Sequence, residues 1–371
     1  MTSDRKSYRD GRHRPAARGT ARRAARATAG GAAGAAVALG ALLALAACSS
    51  SGAASGGDGG KSTSGVAATK HLRVAYFAFA RQNSYQAPQI TAAQQALSAQ
   101  NTQVTVFDAA NNAQKQYGQI QDAIATGKYD GFLIDAVDGP GVVPLVERAV
   151  DQHIKVVSLN QVLGPDLTKV APQVPGVSAS VVYTAFTRGK REGTLVQQAC
   201  ATVSGDCQVG YLFDIKASGF DKGVRAGLDS VISSDSKIHV VAEGEDHFTP
   251  TGGLASTQTM LQGHPDIDVL VGSDQGMAGA TQAVAAVHES GQVKIIGLGG
   301  SVAGLARVKD GTWFGDVPAV PATQGRLAAQ ALLKALRQGV DSGGIDASAG
   351  LPNGGMATRA NVDTFTGEWT G

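Results

Sequence analysis

The chain is 371 residues long, with 43% hydrophobic and 17% charged residues and a formal net charge of +2. This length allows two domains of ordinary size, each with its own core. The charge is uneven: residues 1–27 carry nine basic and two acidic side chains, which leaves a net charge of −5 for all later residues. Because nucleic-acid binding depends on clustered Lys and Arg, this acidic body argues against a nucleic-acid partner.

The first 47 residues have the pattern of an export signal. The basic arm is followed by an uncharged stretch, 28–47, that is rich in Ala, Gly and Leu. A basic region, an apolar region and small residues at the end predict a secretory signal peptide. The alternative is a transmembrane anchor, since about 20 uncharged residues can span a bilayer. The Ala and Gly content makes that stretch weakly hydrophobic, which favours the signal.

The end of this signal, Leu45-Ala46-Ala47-Cys48, resembles the lipobox of bacterial lipoproteins. The resemblance implies a lipoprotein signal peptide over 1–47 and a lipid anchor on Cys48, at the outer face of the cytoplasmic membrane. Residues 48–70 are rich in Ser and Gly, which is the composition of a flexible tether. Arg22-Arg23 leaves both general secretion and twin-arginine export open.

Two cysteines remain beyond Cys48, namely Cys200 and Cys207. In an exported protein an even number of cysteines favours a disulfide, and two free thiols are the alternative. A metal site is not expected, because no His or further Cys lies beside them with metal-ligand spacing.

From Leu72 onward, short runs of Val, Ile and Leu alternate with amphipathic stretches. The runs lack polar alternation, which is typical of strands covered on both faces. The stretches between them keep helical spacing, as at Tyr117, Ile120 and Ile124. Repeated units of this kind predict parallel sheets with helices on both sides. The predicted strands are 72–77, 104–107, 131–134, 156–159, 177–183, 209–213, 238–242, 269–272 and 294–298.

The strand–helix pattern occurs in two series, over 72–160 and over 177–298. Between them a Gly- and Pro-containing segment interrupts regular structure. The sequence therefore predicts an α/β fold of two doubly wound parallel-sheet lobes. In such folds ligands bind beyond the carboxyl ends of the strands.

Three segments at predicted strand ends resemble the type I periplasmic binding proteins of sugar transporters, a ribose-binding-like family. They are YDGFLIDAVD at 129–138, IKVVSLN at 154–160 and HPDIDVLVGSDQGMA at 264–278. The resemblance covers about residues 71–365 and implies a multi-strand hinge between the lobes. It implies an N-terminal lobe of 71–160 plus about 320–346 and a C-terminal lobe of 161–319 plus about 347–371.

The resemblance also implies ligand-binding positions in this chain. Asn83, Tyr85 and Gln86 follow the first predicted strand. Asp138 matches a carboxylate that accepts hydrogen bonds from adjacent sugar hydroxyls, although it could instead cap the next helix. The remaining positions are Asn160, Gln161, Lys222, Phe248 and Asp274.

Two positions depart from the family pattern. Gly299 replaces an Asp that binds sugar hydroxyls in the family, and Ala319 replaces a Gln. Because placed polar groups give such sites their specificity, we expect a ligand that is larger, less hydroxylated or differently shaped than a simple pentose.

Other classes of function find little support in the sequence. It lacks the G-x-S-x-G and H-E-x-x-H motifs of common hydrolases, and Asp135 and Asp138 have no nucleophile beside them. We therefore expect no enzyme, no cofactor and no metal. Repressors that share the two-lobed core carry an N-terminal helix-turn-helix, whereas this N-terminal segment has the composition of a signal and tether.

The resemblance implies a monomeric extracytoplasmic solute-binding protein. Its lobes would shut over a sugar-like molecule and deliver that molecule to the permease of an ABC importer. The alternative is a sensory lipoprotein that binds a solute and signals to a membrane receptor kinase.

Overall fold

The computed structural model describes residues 70–287 and 292–371. The predicted signal peptide, Cys48 and the tether up to residue 69 therefore lie outside the described residues. Within the described ranges, no helix combines the length and the apolar character needed to cross a membrane.

Strands and helices alternate along the described chain. The strands are β1 (Leu72–Ala78), β2 (Thr102–Asp108), β3 (Gly131–Ile134), β4 (Lys155–Leu159), β5 (Ala179–Val182), β6 (Cys207–Phe213), β7 (Ile238–Glu245), β8 (Val269–Ser273), β9 (Lys294–Gly299), β10 (Gly315–Pro318), β11 (Gly343–Asp346) and β12 (Ala357–Thr358). The helices are α1 (Gln86–Ser98), α2 (Ala113–Thr126), α3 (Val143–Asp151), α4 (Ala185–Cys200), α5 (Gly219–Ile232), α6 (Pro250–Gly263), α7 (Asp274–Ala286), α8 (Val302–Asp310) and α9 (Pro321–Gln338).

These strands form two sheets. The first has the order β11-β5-β4-β3-β1-β2 and the second β12-β10-β9-β8-β6-β7. All neighbours are parallel except β10 and β12, which pair antiparallel. We call the first sheet with its helices lobe 1 and the second lobe 2.

Both faces of each sheet are buried, as the unbroken apolar runs predicted. Alternate residues of β1 point to opposite faces, so Val74 and Tyr76 pack in the cluster that contains α1 and α9 residues. Ala75 and Phe77 pack in the cluster that contains α2 and α3 residues. The same division holds in lobe 2, with α4 and α5 on one face and α6, α7 and α8 on the other. The predicted doubly wound α/β fold is confirmed.

One strand lies in a different sheet from the one expected. The predicted strand 177–183 exists as β5, but it pairs with β4 and β11 in lobe 1 rather than opening the second series. The apolar pattern shows that a strand is buried without showing which edge it joins. Three connections therefore link the sheets: β5 to α4, β10 to α9 and β11 to β12.

The predicted disulfide is confirmed. Cys200 at the end of α4 and Cys207 at the start of β6 are bonded, with Cα atoms 5.6 Å apart. The bond fixes α4 against the first strand of lobe 2.

Candidate ligand-binding site

A cleft lies between residues of the two lobes, beyond the carboxyl ends of strands of both sheets. Six of the positions that the family resemblance implied meet in its lining: Asn83, Tyr85, Gln86, Asn160, Gln161 and Phe248. They come from loops after β1, β4 and β7 and from the start of α1, which is where a doubly wound fold places ligands.

Three other predicted positions lie outside this lining. Asp138 is exposed, and its Oδ1 accepts a hydrogen bond of 3.2 Å from the Gly141 amide in the turn before α3. Lys222 is exposed on α5. Asp274 is 1% exposed, and its Oδ2 accepts a 2.7 Å bond from the Ser301 amide. Asp138 thus binds backbone of its own turn and Asp274 binds backbone at the start of α8. The neighbours of Asp274, Ser273 and Gln275, line the cleft instead.

The cation of the cleft lining is Arg188, which was not among the positions expected from the sequence. Its side chain is buried, with 5% of the residue exposed, and lies over the rings of Tyr183 and Phe220 at 4.8 and 5.1 Å. It makes no ion pair within 4 Å among the described residues, and its Nε has no hydrogen-bond partner there. A buried polar group without a partner is costly, so the Arg188 Nε is a donor that a ligand in the cleft could satisfy.

Close packing of α4 on α5 puts Arg188 in this place. A Cβ on Gly189 would lie 1.8 Å from the Val224 carbonyl oxygen, and one on Gly227 would lie 2.1 Å from that of Phe186. Only glycine permits this approach. Arg188 also stands in the first turn of α4, where the helix dipole disfavours a cation. A basic residue in the first turn of a helix that directly follows a strand is the one sequence signal that could have identified Arg188.

Acidic and amide oxygens face the same cleft. Gln86 and Asp214, both in the lining, each have one buried side-chain oxygen without a partner in the described chain, Oε1 and Oδ1 respectively. Burial and the nearby charge of Asp246 hold the pKa of Asp214 well above its usual value. Asp221 is better satisfied, since its carboxylate accepts from the amides of Asp214 (2.8 Å) and Ile215 (3.3 Å). The lining therefore offers a donor and two acceptors that protein groups leave unused.

A buried carboxyl lies directly behind the lobe 1 side of the cleft. Asp135, after β3, is fully buried, and burial raises its pKa to about 7. The Asn160 amide donates to its Oδ1 over 3.4 Å, and the Tyr85 hydroxyl is 3.5 Å from the Asn160 Oδ1. Asp135 thus binds Asn160 directly and is linked through Asn160 to Tyr85, and both of these residues line the cleft.

The remaining walls are largely aromatic, with Phe79, Tyr85, Phe220, Phe248 and Trp369 in the lining. Phe79 of lobe 1 and Phe248 of lobe 2 meet edge to face, with ring centroids 6.1 Å apart. Phe248 has a left-handed backbone, φ 57°, which is unusual for a bulky residue. Its amide donates to Asp246 Oδ1 over 2.8 Å, and this bond holds the ring toward lobe 1.

Trp369 explains the departure at position 299. A Cβ on Gly299 would lie 2.5 Å from Trp369 Cζ2, so the indole occupies the space of any side chain there. The indole Nε1 donates to the Gly299 carbonyl oxygen over 2.8 Å. The other departure, Ala319, is 1% exposed and packs in the core cluster of lobe 1, not in the cleft lining. The other tryptophan, Trp313, is core, with its Nε1 donating to Thr281 Oγ1 over 2.8 Å.

Comparison with known proteins agrees with this geometry. A family model described as periplasmic binding protein domain matches residues 74–339, and the chain belongs to this family. The ribose import binding protein of Bacillus subtilis is 26% identical over 229 residues, which is 62% of this chain and 70% of the relative. The D-ribose/D-allose-binding protein of Pseudomonas aeruginosa is 28% identical over 221 residues, 58% of this chain and 66% of the relative.

Solved structures share the fold. An ABC transporter solute-binding protein from Mycobacterium smegmatis with bound glycerol superposes with a TM-score of 0.68 at 21% identity, covering 81% of this chain and all (100%) of that one. One from Actinobacillus succinogenes with bound D-allose gives 0.68 at 18% identity, covering 79% and 100%. The two lobes are those of a type I periplasmic binding protein, a family whose members act outside the cytoplasm.

Proposed function

We propose that this protein captures a sugar or sugar-like polyol between its lobes and delivers it to the permease of an ABC importer. The observation that carries the proposal is the set of unused polar atoms in an aromatic cleft. Arg188 Nε can donate, and Gln86 Oε1 and Asp214 Oδ1 can accept. A hydroxyl both donates and accepts, so adjacent hydroxyls of one polyol fit this set, while its C–H faces fit the rings.

The named relatives support the same class of ligand and of role. Those in Bacillus subtilis and Pseudomonas aeruginosa are named for ribose import and for binding D-ribose or D-allose. A transport role is thereby favoured over sensing, and a binding role over catalysis.

In the described chain no cluster of three or more His, Cys, Asp or Glu residues is placed to hold a metal ion.

The test is a thermal-shift screen of the protein against D-ribose, D-allose, D-arabinose and myo-inositol, with amino acids as the comparison. A ligand at 100 times its Kd adds about 2.7 kcal/mol to the free energy of unfolding. Shifts by amino acids alone would overturn the sugar assignment.

A matched pair of variants locates the ligand. Arg188→Met removes the unpaired cation, whereas Arg225→Met removes a guanidinium on α5 that is paired with Asp229 and Glu243 outside the cleft lining. We expect at least about tenfold weaker sugar binding in R188M, since a hydrogen bond to a charged group contributes about 1.5–3 kcal/mol. Affinity in R225M should stay within about twofold of the parent protein. Equal losses in both variants would remove Arg188 from the site.

The lipid anchor and the monomeric state belong to the same proposal. The lipobox-like segment ending at Cys48 supports tethering to the outer face of the membrane. Cys48→Ser should release the protein from the membrane fraction, and retention would favour a hydrophobic span instead.

A further inference from the structure

The C-terminal residues of the chain lie on lobe 2. The Val302 amide, at the start of α8, donates to the Trp369 carbonyl oxygen over 2.8 Å, and the Ala303 amide donates to that of Thr370 over 3.2 Å. These bonds fix the backbone beside the end of β9. Trp369 is therefore an ordered part of lobe 2, with only 4% of the residue exposed.

Glu368, the residue before Trp369, binds lobe 1. The carboxylate of Glu368 accepts from the Thr323 amide over 2.8 Å and from the Thr323 hydroxyl over 2.5 Å. Thr323 lies in the first turn of α9, in lobe 1. Two consecutive residues thus bind different lobes, one at the start of α9 and one at the end of β9.

The Trp369 ring also contacts lobe 1. It meets Tyr85 edge to face, with ring centroids 5.5 Å apart and an interplanar angle of 78°. Both rings are held at their polar ends: the indole Nε1 by the Gly299 carbonyl oxygen, and the Tyr85 hydroxyl by Tyr183, 2.5 Å away. The pair forms a wall across the gap between the lobes, and both rings line the cleft.

We propose that Trp369 determines the ligand specificity of this cleft. Its indole closes one end of the cleft and limits the ligand to a single sugar or polyol ring, against which it packs an apolar face. This inference rests on the proposed sugar-binding function. The only hydrogen-bonding group of the indole is already bound to Gly299. The indole therefore selects ligands by their size and by whether they present an apolar ring face to it. The missing side chain at position 299 therefore does not enlarge the site.

The test compares Trp369→Ala and Trp369→Phe with the control Trp313→Phe. In W369A the Gly299 carbonyl oxygen keeps its bond from the Ala319 amide, 3.0 Å long, so no acceptor is left unpaired. We expect W369A to bind D-ribose or D-allose at least about fivefold more weakly, since a buried aromatic contact in a binding site contributes about 1 kcal/mol or more. It should also gain binding to maltose, which we expect the parent protein not to bind. W369F should be intermediate, and W313F should match the parent protein.

A second measurement reports on the residue itself. The chain has two tryptophans, so W313F leaves Trp369 as the sole source of tryptophan fluorescence. Saturation with the monosaccharide should reduce quenching of this fluorescence by acrylamide, because the ligand covers the exposed part of the indole. The melting temperature of W369A without ligand shows whether this variant folds. If it does not fold, sugar binding by W369F and the quenching of Trp369 in W313F test the role of Trp369 instead.

The outcomes separate this inference from the proposed function. If monosaccharides bind the parent protein and W369A equally, or leave the quenching of Trp369 unchanged, the role of Trp369 is overturned and the sugar function stands. If no sugar binds the parent protein at all, the proposed function fails, and the inference fails with it.

Discussion

Glu192 provides the sharpest test of the buried electrostatics beneath the cleft. It lies on α4, one turn after Arg188, is fully buried, and has no hydrogen-bond partner for either carboxylate oxygen in the described chain. Burial raises its pKa to about 8, although the charge of Arg188 opposes the shift. At neutral pH the folded protein therefore holds a protonated glutamic acid, whereas the unfolded chain holds a carboxylate.

This difference makes the fold less stable as pH rises. Below the ordinary value of 4.5 the side chain is protonated in both states, and above about 8 it is ionised in both. In between, the folded state binds the extra proton, and each pH unit removes about 1.4 kcal/mol from the free energy of unfolding. Glu192→Gln, which mimics the protonated form, should thus gain about 3.5 kcal/mol relative to the parent protein between pH 5 and pH 8.

Urea denaturation of both proteins at pH 5, 6.5 and 8, followed by circular dichroism, measures this gain. Glu243→Gln is the matched control, because Arg225 and Lys216 bind that carboxylate and hold its pKa below the usual value. The stability that Glu243 contributes is lost only as pH falls below about 4.5, so its variant should differ from the parent protein by a constant amount over this range. A constant difference for E192Q as well would refute the assignment of a protonated Glu192.

Two further predictions concern the disulfide and the exposed aspartate. Replacing Cys200 and Cys207, seven residues apart, by Ser should lower the free energy of unfolding by about 2.5 kcal/mol on the chain-entropy account. Urea denaturation of the variant and the parent protein measures this loss. Equal midpoints would indicate that the bond contributes nothing. Asp138→Ala should leave sugar affinity within about twofold, and Gln86→Leu should weaken it at least about fivefold by removing an unused acceptor. A large loss in D138A by calorimetric titration would return Asp138 to the site.

Local patterns in the sequence predicted most of the fold, and six of the nine ligand positions that the family resemblance implied lie in the cleft lining. Runs of Val, Ile and Leu identify buried strands because both faces of a parallel sheet are covered. Residues that directly follow those strands, such as Asn83, Asn160 and Phe248, reach the cleft because parallel strands share one carboxyl edge.

The features that escaped prediction depend on contacts between distant parts of the chain. Trp369 fills the space beside Gly299, a residue 70 positions earlier. Arg188 reaches the cleft because glycines on two helices let α4 and α5 pack closely. Asp138 follows a strand as expected, but the tight turn to Gly141 uses its carboxylate. No local pattern contains this information.

The contacts between the lobes show how a ligand could control closure. Across the cleft the lobes meet through two edge-to-face ring pairs, the Arg188 guanidinium over the Tyr183 ring, the Glu368–Thr323 bonds and a 3.4 Å contact from Gln275 to Ser84. Aromatic pairs of this kind contribute about 0.5–1.5 kcal/mol each beyond the area they bury, and the unpaired Arg188 opposes desolvation of the cleft. Closure without ligand is therefore weakly favoured at most. A polyol that bonds Arg188 and Asp214 on lobe 2 and Gln86 on lobe 1 removes this cost and adds contacts to both lobes. Since a ligand shifts a conformational equilibrium only by its differential affinity for the two states, we expect these residues on opposite lobes to convert binding into closure.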